Sequence, residues 1–471
     1  MFNAFPLKDE RIIDAIKARI LVLDGAMGTA LQDRDLTAED FGGEVYLGCN
    51  EMLVLTRPDV IEDVHKAYLA VGADIVETNT FGGTPLVLGE YDLSDKANEI
   101  NRAAVEIARR ACAAYDTPEK PRFVAGSIGP TTKSLSVTGG ITFDELVAQF
   151  EQQAYVLTDA GSDYLLLETA LDTLNLKAGL VGIYNAFSRL DYRIPVAVSG
   201  TIETMGTMLA GQGVEALYTS VAHADLLYIG LNCATGPSLM KDHIRSLAAI
   251  SRVPVACVPN AGIPDADGVY PESPEMVANA LGEFVDEGWL NLVGGCCGTT
   301  PPHIAKLVER VAGKPSPLRQ PAPVSRISGL DPLLVEDEGR PYIIGERTNV
   351  IGSRLFKEMI VAEKFEEAAE IARKQVKAGA HIIDVCLSNP DRDEVTDIKT
   401  FMGFATKLVK APFMIDSQVP EVVEEAFKLT QGKCILNSVN MEDGEESFEK
   451  LLPIVKRYGA AIVVGCIQSE M

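Results

Sequence analysis

The sequence predicts an α/β chain, an N-terminal (β/α)8 barrel of the TIM type followed by an incomplete second (β/α) barrel. Three observations carry that reading. One unit recurs, an amphipathic helix that ends at Gly and runs at once into a short apolar strand, in AYLAVGADIVET, LTDAGSDYLLLET, FVDEGWLNLVGG, QVKAGAHIIDV and VKRYGAAIVVG. The strands are nearly unbroken apolar runs, so both faces are covered, as in a parallel sheet flanked by helices. No GxGxxG turn follows the first strand, which counts against a doubly wound sheet.

Eight candidate strands precede residue 300, near 21–24, 74–78, 123–127, 164–168, 196–200, 226–232, 255–259 and 290–294. Eight βα units over that length fit a closed barrel. Between the first two, Val60, Val64 and Tyr68 recur at helical spacing after Pro58, a favoured first-turn residue. The Gly of each recurring unit suits the left-handed position that ends a helix. Residues 314–340 then change character. Pro315, Pro317, Pro321, Pro323 and Pro332 break any period, and the stretch reads as a semi-extended linker. A second βα series follows, with strands near 342–346, 381–385, 413–416, 434–437 and 460–466. Five strands leave two open edges where a barrel would close, so a truncated gene or a fragment is expected. The expected organisation is a barrel over 1–313, a linker over 314–340 and part of a second barrel over 341–471.

Composition narrows the function. Of 471 residues, 47% are hydrophobic and 23% charged, as in ordinary globular proteins. No apolar run reaches about 18 residues, and the first twenty lack the order of a secretory signal, so no membrane span and a cytoplasmic location are expected. A formal net charge of −25 argues against a nucleic-acid partner, which clustered Lys and Arg would bind. Nine cysteines, an odd count spread through the chain, do not form a disulfide framework; metal binding, catalysis and burial are the alternatives.

In such barrels the functional groups sit at the C-terminal ends of the strands. The sixth strand ends in GLNC with Cys233, and the eighth in GGCCG with Cys296 and Cys297. Three thiolates there could share one soft or borderline ion, zinc above all, with a position left open. Adjacent residues on a strand face opposite ways, so Cys296 and Cys297 can join one ion only if the backbone bends, which Gly294, Gly295 and Gly298 allow. Two buried cysteines or a vicinal disulfide are the alternatives. DGAMGT, Asp24 to Thr29, could turn backbone N–H groups toward a carboxylate, or be a plain turn. Glu168 and Asp172 close the fourth strand, and Glu77 and Asn79 the second; a carboxylate there could hold an ammonium group or be a solvated loop acid. In the second series Glu346, Asn349, Asp384, Asp416 and Asn437 fall at successive strand ends, a polar mouth able to meet the edge of a planar heterocycle. His65 and His303 lie in helix-like stretches and receive no role.

Taken together, these strings resemble the cobalamin-dependent methionine synthase family. LVLDGAMGT, IVETNTFGG, GSIGPT, LLLETALDTLNLKA, IGLNCATGP, VPNAG and GGCCGTTPPHI resemble its homocysteine-binding domain, over residues 12–312. IGERTNVIGSRLF, AGAHIIDV, FMIDSQ and ILNS resemble the start of its folate-binding domain. The resemblance implies zinc on Cys233, Cys296 and Cys297, with the homocysteine sulfur in the open position. It implies that the amides of Ala26 and Met27 take the homocysteine carboxylate, that Glu168, with Asp24, holds the amino-acid end, and that Asn232 neighbours the metal. It implies a 5-methyltetrahydrofolate pocket lined by Glu346, Asn349, Asp384, Asp416 and Asn437. Methylcobalamin would be brought by a cobalamin-binding domain or protein outside this chain. The family's remaining pterin-barrel strands and its cobalamin and reactivation domains have no counterpart here, and Cys386 stands where many relatives carry Asn. A homocysteine methyltransferase using S-methylmethionine or betaine, and a noncatalytic zinc- and homocysteine-binding fragment, are the other readings.

Overall fold

The computed structural model describes residues 2–442 and 444–468. Eight parallel strands come first: β1 (Leu21–Val22), β2 (Ile75–Glu77), β3 (Phe123–Ile128), β4 (Tyr164–Ala170), β5 (Val196–Gly200), β6 (Leu226–Asn232), β7 (Val255–Val258) and β8 (Leu292–Val293). They neighbour one another in chain order, and β1 also pairs with β8. A parallel bridge from Leu23 to Ile75 joins β1 to β2 and closes the ring. Each of the eight expected strands has its counterpart, and the doubly wound alternative is excluded.

Alternation along the strands builds two layers of core. Leu21, Ile75, Phe123, Tyr164, Leu166, Ala197, Tyr228, Ala256 and Leu292 face inward and fill the barrel. Their neighbours Val22, Leu165, Val198, Ile229 and Val293 face outward against the helices. Ile12 and Ile16 of helix Arg11–Ala18 join the inner cluster, so that helix seals the bottom of the barrel. Inside it the hydroxyls of Tyr164 and Tyr228 satisfy each other at 3.1 Å. Between β1 and β2, helix Pro58–Ala70 buries Val60, Val64 and Tyr68, the predicted stripe. Gly161 ends helix Phe143–Ala160 at φ 104°, the left-handed cap that the repeat requires.

The stretch read as a semi-extended linker contains an ordered hairpin, β9 (Ser325–Ser328) paired antiparallel with β10 (Pro332–Val335). Beyond it lie β11 (Ile344–Gly345), β12 (Ile382–Val385), β13 (Phe413–Asp416), β14 (Ile435–Met441) and β15 (Ala461–Gln468). These form a five-stranded, wholly parallel sheet in chain order. Ile327 of the hairpin packs with Ile382, Met414 and Ile435 at the start of three of these strands. The hairpin therefore covers the N-terminal end of the sheet and leaves its C-terminal end free for polar side chains. The barrel and the sheet meet through both apolar and polar groups, the Phe143 ring lying 5.9 Å from that of Tyr458. Lys177 is buried and donates to the Thr430 carbonyl at 2.9 Å, and Lys428 pairs with Asp144 at 2.9 Å. Among the described residues no helix is long and apolar enough to cross a membrane.

Candidate functional site

Cys233 follows β6 at once, with φ 61°, and Ala234 follows at φ 58°. This left-handed turn bends the backbone over the barrel rim. β8 ends at Val293, three residues before Cys296, so the cysteine pair is not on strand geometry at all. The Cys296 amide donates to the Pro259 carbonyl at 2.8 Å, and the Ala261 amide donates to the Cys297 carbonyl at 2.9 Å. Both cysteines are thereby tied to the loop after β7. The glycines make the bend possible. A side chain at Gly294 would meet Leu23 Cβ at 2.8 Å, one at Gly295 would overlap Thr299, and one at Gly298, φ 77°, would overlap the Tyr270 ring.

The result is a cluster of three sulfurs within 4.8 Å of one another. Cys233 Sγ and Cys296 Sγ each lie 3.9 Å from Cys297 Sγ. All three cysteines are free, which removes the vicinal disulfide. Hydrogen bonds from Cys233, then Cys296 and Tyr270, pull the Cys297 thiol far down, so one sulfur of the cluster is readily anionic. Asn260, in the loop between β7 and β8, has a buried Oδ1 with no hydrogen-bond partner. Three sulfurs at this spacing can hold one metal ion and leave room for a further donor.

Beside the cluster, the strand ends collect carboxylates. Asp24, past β1, accepts from the Glu77 amide at 3.1 Å, while its Oδ1 is buried and unpartnered. Glu168, near the end of β4, accepts from Ser127 Oγ at 2.5 Å. Burial pushes the Glu168 carboxyl up to about 7. Burial, and then the charge of Glu168, drive Glu77 well above its ordinary value, and burial does the same to Asp24. Asp24 and Glu168 are buried and Glu77 is half-buried, and three such acids repelling one another are relieved by a cation. Asn232 organises the neighbouring edge. Its Oδ1 accepts from Ser199 Oγ at 2.6 Å and from the Thr169 amide at 3.0 Å, and its Nδ2 donates to Thr169 Oγ1 at 2.7 Å. Thr169 sits at φ 54°, a conformation that costs a non-glycine residue energy. Ala26 caps the short helix Met27–Gln32, and its amide makes a long bond of 3.4 Å to Thr299 Oγ1.

Other sequence candidates have structural duties. Asp172 caps helix Thr173–Leu190 through the Asn175 amide at 2.7 Å. Asn79 Nδ2 donates to the Asn50 carbonyl at 2.8 Å and pins the loop after β1. His303 forms a reciprocal cap with Thr300. Sequence reasoning missed Ser127, Ser199, Asn260 and Tyr270. Ser127 and Asn260 lie inside the strings GSIGPT and VPNAG, but nothing local says which neighbour they meet.

On the sheet, the five polar strand-end residues also converge. Asn349 Nδ2 lies 3.3 Å from both Asp384 Oδ2 and Asp416 Oδ2. Burial, then the charge of Asp416, raises Asp384 to about 6, and Asn437 hydrogen-bonds the same carboxyl. Glu346 adds its charge to both acids. Cys386 hydrogen-bonds Asp416.

Residues 21–311 match the family model described as homocysteine S-methyltransferase. The chain belongs to the homocysteine S-methyltransferase family. In this family member, residues 345–471 also match the model described as pterin binding enzyme. The chain is 41% identical over 471 residues to the methionine synthase of Mycobacterium tuberculosis (strain ATCC 25618 / H37Rv), covering 98% of itself and 39% of that protein. It is 39% identical over 477 residues to the methionine synthase of Mycobacterium leprae (strain TN), with the same two coverages. It therefore spans 39% of the length of these curated relatives. Among solved structures, the homocysteine methyltransferase MmuM of Escherichia coli, oxidized form, aligns with a TM-score of 0.52 at 24% identity, covering 62% of this chain and 96% of that one. Its metallated form aligns with a TM-score of 0.52 at 23% identity, covering 64% and 99%. These two structures share the barrel fold with the homocysteine S-methyltransferase domain.

Proposed function

We propose that the barrel, residues 1–313, binds zinc and homocysteine and transfers a methyl group to the homocysteine sulfur, giving methionine. The proximity of three free sulfurs to a pocket of buried acids carries this reading. Cys233, Cys296 and Cys297 would hold the ion. Zinc, when bound, supplies a Lewis acid that keeps a thiol sulfur deprotonated near neutral pH without redox chemistry. The chain's own residues do the rest. Glu168 and Asp24 take the substrate ammonium, and Ser127 and Asn232 hold Glu168 and its loop in place. The amides of Ala26 and Met27 face the substrate carboxylate, for which Ala26 gives up only a weak bond to Thr299. The sulfur is thus aimed out of the rim toward an arriving methyl group, and alignment for displacement is the catalytic contribution.

The immediate donor is methylcobalamin, brought by a domain or protein outside this chain, and 5-methyltetrahydrofolate is the methyl source. Glu346, Asn349, Asp384, Asp416 and Asn437 line the folate pocket, the sheet over 341–471 being part of a pterin-binding barrel and 314–340 the connection to it. The expected compartment is the cytoplasm.

The test is methionine formation by the zinc-loaded chain from homocysteine and free methylcobalamin. Turnover with S-methylmethionine or betaine but not with methylcobalamin would replace the donor. Zinc and homocysteine binding without turnover from any of the three would make the chain a binding segment.

A further inference from the structure

Gln431 lies in the sheet unit, between helix Pro420–Leu429 and β14, yet its side chain is spent on the barrel. Its Oε1 accepts from Thr173 Oγ1 at 2.7 Å, from the Leu174 amide at 2.9 Å and from Gln212 Nε2 at 2.7 Å. Its Nε2 donates to Ser136 Oγ. Ser136 belongs to the loop after β3, Thr173 and Leu174 to the first turn of the helix after β4, and Gln212 to the loop after β5. One side chain therefore fastens three consecutive strand-to-helix connections at the rim where Ser127, Glu168, Thr169 and Ser199 stand.

The barrel side of the joint after β4 and β5 is buried, while Gln431 is half-buried and Ser136 exposed. Thr173 and Gln212 are each 0% exposed. The Leu174 amide is among the first of its helix, which no carbonyl of that helix can satisfy. Gln431 thus caps, from the other unit, a helix that starts three residues after β4 ends. Removing the acceptor strands the Thr173 hydroxyl and the Leu174 amide and leaves Gln212 Nε2 only a long bond of 3.4 Å to Thr173 Oγ1, a cost greater than that of an exposed bond. The segment that must absorb the loss is Ala170–Leu171–Asp172, directly attached to Glu168 and to the strained Thr169.

We infer that Gln431 is a positioning residue for the amino-acid pocket of the barrel, so that the sheet unit holds the homocysteine site in shape through it. This rests on the proposed homocysteine reading.

The test uses the full zinc-loaded chain and two variants. Gln431→Leu keeps the size and loses every polar contact. Gln431→Glu keeps the acceptor for Thr173, Leu174 and Gln212. Calorimetric titration with homocysteine should show Kd about tenfold weaker in Gln431→Leu and within about threefold of the parent in Gln431→Glu. Zinc content should be equal in all three, and amide exchange over residues 169–176 should quicken in Gln431→Leu alone. Unchanged homocysteine affinity in Gln431→Leu, or equal loss in both variants, overturns the inference. If the parent chain itself binds no homocysteine, the proposed function fails instead, and amide exchange decides this inference: unaltered protection over 169–176 in Gln431→Leu overturns it.

Discussion

Ser127 Oγ, on β3, donates to Glu168 Oε1, on β4, at 2.5 Å. The bond crosses neighbouring strands and fixes the acid that faces the thiol cluster. Burial holds the Glu168 carboxyl near 7, and Ser127 opposes that rise by favouring the charged form.

Ser127→Ala should therefore weaken homocysteine binding, by about ten- to hundredfold, the cost of one hydrogen bond to a charged group. Glu168→Gln should weaken it further, since the charge is lost as well. Calorimetric titration at neutral pH measures both, and equal affinity in Glu168→Gln would remove Glu168 from the pocket.

Cys297→Ser should lose the metal. The zinc-loaded parent should carry about one zinc per chain, and the variant close to none after dialysis. Elemental analysis reads the ratio. Retention of a full equivalent would contradict the ligand set.

Gly298→Ala should destabilise the rim. The residue sits at φ 77°, and an added Cβ would overlap the Tyr270 ring. Backbone strain alone costs on the order of 1–3 kcal/mol, so the melting temperature should fall and zinc should be held less tightly. Thermal unfolding with and without zinc checks this.

His65 predicts a pH dependence of folding. It is 0% exposed on helix Pro58–Ala70, neither ring nitrogen has a hydrogen-bond partner, and burial lowers it from 6.5 to about 4. Between those values the unfolded chain binds the proton and the folded chain does not, so stability falls as pH falls from 6.5 toward 4. The loss reaches roughly 3 kcal/mol. His65→Leu should flatten that part of the profile, as read by urea unfolding at several pH values. An unchanged slope would mean that His65 does not titrate across this range.

The strands of both units were legible because each lies in an apolar run, and β2, β4, β8, β12 and β15 also follow a helix-ending Gly, a pattern that needs no tertiary knowledge. The hairpin β9–β10 was hidden by its setting. Its strands are four residues each, and Pro332 opens the second, a position where proline removes no needed ladder bond. The cysteines at 296 and 297 posed a geometric problem only while they were taken to lie on a strand. The strand ends at Val293, and the fold solves the problem with glycines already visible in GGCCG.

The sequence by itself determined the repeating helix–strand units, the parallel sheets they imply, and the identity of the three thiols, since each is written in contiguous residues. Only the tertiary structure decided which groups meet. Closing β1 onto β2 brings Asp24 against Glu77, and strand adjacency places Ser127 under Glu168 and Ser199 against Asn232. Packing the sheet against the barrel carries Gln431 to Leu174, 257 positions earlier. The physical reason is that burial and charge coupling depend on distance in space, and a chain of local preferences leaves that distance unset until the sheet closes.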